Sequence, residues 1–233
     1  MRNCYNMKSI VFAIVFLSCS CIVPVTAQDN PLRDSLKTAL EKLSYHPDSV
    51  DLLLKKAAWN IELEQWQFAK ESYDVVLAKE PMNVAALYFR AYVNEKLNRL
   101  NFARLDYENL LAIVPGNFEA QLGLALLNHK DKHYTKAMDM LNHLVSQYPD
   151  IAVVYAARAG MEKDRGMLEL AEYDYAEAVR RDPNNADYLL NHADMLIELK
   201  RWSEAKSVLG RLVASGVPEA SLSGLYRRIR KRR

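Results

Sequence analysis

Cysteine is almost missing from this chain. It has three, Cys4, Cys19 and Cys21, all near its start, so residues 28–233 hold no thiol, no disulfide and no cysteine-based metal site. Glycine and proline are scarce as well, at 7 and 8 in 233 residues, which argues against a turn-rich all-β protein. Catalytic signatures are absent: there is no glycine-rich phosphate loop, no His-Glu-x-x-His and no nucleophile elbow. His129 and His133 lie four apart in "HKDKH" but fall at a helix end and in a turn, so they need not share a face. These absences predict a protein with no catalytic site, no metal and no cofactor.

What is present begins with a leader. Arg2 and Lys8 precede the apolar run "IVFAIVFLSCSCIV", and "PVTA" then ends in small residues at Val25 and Ala27. A basic start, an apolar centre too short for the roughly 20 residues of a membrane-spanning helix, and a small-x-small exit predict a signal peptide over 1–27, cleaved after Ala27. The alternative is a lipoprotein acylated at Cys19 or Cys21, but the residues three before them are Phe16 and Ser18, where such signals usually carry Leu. The expected location is the periplasm or the cell envelope.

The net charge of +2 conceals an asymmetry. Arg2 and Lys8 account for the whole surplus, and six of the last seven residues, "RRIRKRR", are bases, which leaves the body between near −6. Arg227, Arg228, Arg230, Lys231, Arg232 and Arg233 thus form a basic tail that could meet an anionic lipid surface or a polyanion. Nucleic acid is not expected for an exported protein.

The body is periodic. "FAKESYDVVLAKEP" (68–81) aligns without a gap on "FARLDYENLLAIVP" (102–115), 34 residues later. Prolines recur at 47, 81, 115, 149 and 183 with the same step, as do Ala57, Ala91, Ala125, Ala159, Ala193 and Ala69, Ala103, Ala137, Ala171, Ala205. A fixed period of this size means stacked repeats. Each unit reads as two helices closed by a proline, with alanines where helices cross and Tyr73, Tyr107, Leu141, Tyr175 and Leu209 filling the space between them. The fold class is therefore all-α, a solenoid of five 34-residue hairpins spanning 50–83, 84–117, 118–151, 152–185 and 186–218. An amphipathic N-terminal capping helix is expected within 28–49, and a C-terminal cap with the basic tail over 219–233.

In this register, "AVVYAARAGMEKDRGMLELAEYDYAEAVRRDPNN" (152–185) resembles the tetratricopeptide repeat family nearly throughout, with Tyr155, Ala159, Ala171, Tyr175, Ala178 and Pro183 at its signature positions. Departures are Gln121 in the third unit and a one-residue slip in the fifth. The resemblance implies a right-handed superhelix, with a protein or peptide partner held in a concave groove lined by the first helix of each unit. It assigns Leu54, Ala58, Tyr88, Tyr92, Leu122, Leu126, Gly160, Leu190 and Asp194 to that groove, with Asp51, Glu119 and Asp187 along one edge. The Lys and Asn by which some members grip a C-terminal carboxylate are replaced here by apolar residues, so that clamp is not expected.

One charge pattern crosses the repeats. Arg90 and Arg158 occur only in the units that also carry Asp106 and Asp174 on the facing helix. This covariation within one chain predicts two partly buried Arg–Asp pairs, of the kind that fix register more reliably than they stabilise.

Overall fold

A computed structural model describes residues 31–230. The leader and the tail residues Lys231, Arg232 and Arg233 lie outside the described residues. Among those described, the regular structure is helical. α1 (Pro31–Tyr45) is followed by five hairpins: α2 (Val50–Glu62) with α3 (Trp66–Lys79), α4 (Val84–Lys96) with α5 (Leu100–Ile113), α6 (Phe118–Lys130) with α7 (Tyr134–Gln147), α8 (Ala152–Asp164) with α9 (Leu168–Arg181), and α10 (Ala186–Glu198) with α11 (Trp202–Ala214). A short 3-10 turn (Glu219–Leu222) then leads into α12 (Ser223–Arg230). From α1 to α11 each helix packs on its neighbours in the chain, α12 packs on α10, and the inner helices α4, α6 and α8 also touch across the repeats. The result is a right-handed superhelix.

The crossings rest on alanine. All ten residues of the two alanine series have no exposed surface. A side chain ending at Cβ lets two backbones approach to contact, and the space beside it is filled by the buried Tyr73, Tyr107, Leu141, Tyr175 and Leu209. The core is thus a row of buried clusters, each spanning neighbouring hairpins and joined through partly buried side chains such as Met140 and Tyr188, which no single hairpin could bury alone.

Helix ends follow the same ruler. Ser49, Asn83, Asn117 and Asn185 cap the inner helices with side-chain oxygens, Asn83 Oδ1 accepting from the Ala86 N–H at 2.9 Å and Asn117 Oδ1 from Ala120 at 2.8 Å. The fourth unit has Ile151 at that place, exposed and without a capping oxygen. Inside each hairpin the turn is made by a residue with positive φ: Glu64, Asn98, Lys132, Gly166 and Lys200, again 34 apart. The residue after it donates its N–H back five positions, Gln65 to Asn60 O at 2.7 Å and Met167 to Glu162 O at 2.9 Å. This is the left-handed helix stop usually built on glycine, yet only the fourth unit has one.

Candidate functional site

The inner helices bring the sequence-assigned groove residues onto successive repeats: Leu54 on α2, Tyr88 and Tyr92 on α4, Leu122 and Leu126 on α6, Leu190 on α10. Their exposure is graded. Leu54, Tyr88, Tyr92 and Leu122 are half-buried and lean on the core, whereas Leu126 and Leu190 stay about 40% exposed. Phe89, which the sequence register did not single out, adds a ring that is 43% exposed.

The aromatic side chains are held by one another. Tyr92 meets the edge of Trp66, with centroids 6.1 Å apart, and the Lys96 ammonium lies over both rings at 5.1 and 5.7 Å. Tyr88 contacts Phe89 at 5.2 Å and Tyr107 at 6.1 Å, both edgewise, and Phe89 stacks on Tyr73 at 6.2 Å. Behind them, Tyr107 of α5 reaches between α4 and α6. Its hydroxyl donates to Glu95 Oε1 at 2.8 Å, and its ring occupies the space that a side chain on Gly123 would fill. Burial, followed by Glu119, Glu95 and Tyr92, raises the Tyr88 hydroxyl above its usual range, so it stays neutral. Burial also raises the Glu95 carboxyl, against the Tyr107 hydrogen bond and the nearby lysines.

The far end of the inner surface is different. Asp194 receives Lys163 Nζ at 2.7 Å and Arg228 Nη1 at 2.5 Å, and Arg228 Nη2 also reaches Glu198 at 2.6 Å. Burial raises the Asp194 carboxyl, but the two cations outweigh it and leave the pKa below its ordinary value. Asp194, expected to face a ligand, is therefore engaged inside the chain. Arg228, expected in a basic tail that could meet an anionic surface, is its partner. The physical reason is that α12 packs on α10, with Ile229 and Leu222 of the preceding 3-10 turn buried in the same cluster, which sets Arg228 opposite two carboxylates. Arg227 and Arg230 remain exposed.

Both Arg–Asp pairs form. Arg90 donates through Nε and Nη2 to Asp106 at 2.9 and 2.6 Å, and through Nη1 to Asp74 at 2.9 Å. Arg158 repeats the fork on Asp174 at 2.6 and 2.9 Å, with Asn142 in the place of Asp74. Both aspartates are at most 2% exposed. The two histidines do not converge: His129 lies 3.4 Å from Asp164, and His133 contacts Asp131 and Arg104. Among the described residues no group of three His, Cys, Asp or Glu side chains could hold a metal, and no helix is long and apolar enough to cross a membrane.

Comparison with known proteins agrees with this architecture. Residues 119–150 match the family model for the tetratricopeptide repeat. No curated protein matches the chain significantly. Among solved structures, a tetratricopeptide repeat protein from Parabacteroides merdae superposes with a TM-score of 0.72 at 20% identity, covering 86% of this chain and 78% of that one. PilW, a type IV pilus biogenesis factor, gives 0.69 at 20% identity over 78% and 85%. YrrB, described as having an unusual peptide-binding site, gives 0.53 at 16% identity over 78% and 93%.

Proposed function

We propose that this tetratricopeptide-repeat protein is a non-catalytic scaffold or adaptor of the cell envelope, holding a partner protein or peptide against its inner helices. The observation that carries the reading is the strip of Tyr88, Tyr92, Leu122 and Leu126 on α4 and α6, apolar and still partly open to solvent. Rings already fixed by Trp66, Lys96 and Tyr107 lose little further freedom when a partner covers them. Aromatic anchors of this kind dominate interface energetics. The buried polar groups Asp106 and Asp174, by contrast, are committed to joints between helices. The YrrB peptide site is consistent with repeats of this shape serving as peptide receptors. The envelope assignment rests on the leader over 1–27.

The test is a comparative capture from envelope extract with the native chain, a Tyr92→Ala/Leu126→Ala variant, and a tail variant. The tail variant carries Arg227→Gln and Arg230→Gln and lacks residues 231–233, which preserves Arg228 and Ile229. The groove reading expects a protein retained by the native chain and the tail variant in added salt and lost by the groove variant. Binding that disappears with salt and with the tail would assign function to an anionic surface instead.

A further inference from the structure

The buried polar joints of this array are variations on one register, and one of them holds a carboxyl where the others hold an amide. At Asn60, Asn94 and Asn128, each 34 residues after the last, the inner helix buries an amide. In the second repeat Asn94 Nδ2 donates to Asp106 Oδ2 at 3.2 Å, beside the Arg90 fork. The fourth repeat keeps the fork, Arg158 on Asp174, but has Glu162 where the amide stands. Glu162 is only 6% exposed, stands toward Asp174 in the register that Asn94 keeps toward Asp106, and has an Oε2 with no partner. A carboxylate can only accept, so Glu162 can do what Asn94 does only as the protonated acid.

We propose that Glu162 is a proton-linked joint: as a neutral acid it donates to Asp174 and holds α8 against α9, and loss of its proton loosens the fourth repeat. The surroundings offer the anion little. From α8 itself the facing cation is Arg158, already shared between Asp174 of α9 and Asn142 of α7. The register place on the preceding outer helix that holds Lys70 and Arg104 in the first two repeats, where Arg104 reaches Asn128, is Met138 on α7. Of the other charged groups on α8, α10 and their turns, Lys163 pairs with Asp194, Asp164 with His129, His192 with Glu172, and Arg201 with Glu172 and Glu204, while Arg165 and Lys200 are exposed. Burial first, then the charge on Asp174, against the opposing pull of Arg158, pushes the Glu162 carboxyl up to about 7. Because this lies above its ordinary 4.5, the joint contributes fully below about 4.5 and is lost as pH rises through about 7.

The experiment uses the full chain and its Glu162→Gln variant, whose amide donates without titrating. Carbon-detected NMR of side-chain carboxyls, with Glu162 assigned by its loss in the variant, should give a midpoint near neutrality. Hydrogen exchange of residues 152–181, normalised for intrinsic rate, should show protection falling by about tenfold or more between pH 5 and 8 in the native chain and not in the variant. If Glu162→Gln does not fold, Glu162→Asn, the residue of the first three repeats, replaces it. A Glu162 midpoint in the ordinary range of about 4 to 5, or parallel loss of protection in native and variant chains, overturns the proposal.

Discussion

A Cβ built on Gly123 would stand 2.7 Å from Cζ of Tyr107. The ring of Tyr107 is 2% exposed, tied to Glu95 and in contact with Tyr88, so it has little room to retreat. Gly123→Ala should therefore destabilise the array by about 1–3 kcal/mol through overpacking. Denaturant unfolding checks the size. A Tyr107→Leu background should recover part of the loss, and equal penalties in both backgrounds would mean that the ring and the glycine do not compete.

The Arg90–Asp106 fork should be energetically coupled. A double-mutant cycle with Arg90→Met and Asp106→Asn is expected to show an interaction of about 0.5 kcal/mol or more, because Arg90→Met leaves the buried Asp106 carboxylate without its cation and Asp106→Asn leaves Arg90 only Asp74. Additive losses would mean that the fork sets register without stabilising it.

Two glycines separate backbone demand from mere presence. Gly166 has φ of 74° in the hairpin turn, and Gly210 sits in α11 with open space around it. Gly166→Ala should lower stability by about 1 kcal/mol, whereas Gly210→Ala should raise it by about 0.5–1 kcal/mol. Thermal melts of the two variants should move in opposite directions.

The uncapped start of α8 offers a gain. Ile151→Asn restores the side-chain acceptor that Asn83, Asn117 and Asn185 supply in other repeats. It should stabilise by about 0.5–2 kcal/mol, since Ile151 is exposed and gives up little packing. No change in the melt would show that the α8 amides are satisfied by water.

Much of this was legible in the sequence because the repeats are their own comparison. Alanines and prolines keeping a 34-residue step mark the crossings and helix ends, and Arg90 with Asp106 can be paired because Arg158 with Asp174 repeats them. The hairpin stops were not legible, since Glu64, Asn98, Lys132 and Lys200 take a backbone conformation that composition normally announces with glycine. The phase of the positions was the available signal. Nor could the sequence join Asp194 to Arg228, because that contact depends on how α12 sits on α10 after the slipped fifth unit. Phe89 and Glu162 share one cause: both stand at register places whose neighbours on other helices decide whether a side chain is open or enclosed.

The central claim is that binding resides on α4 and α6. Its most direct test is the affinity, by titration calorimetry, of a partner captured from the envelope extract for the native chain and for Tyr92→Ala/Leu126→Ala. The account predicts unchanged helical content by circular dichroism and binding weakened by at least about 2 kcal/mol. A partner that binds this variant at native strength, and releases the chain altered at Arg227, Arg230 and residues 231–233, would contradict it.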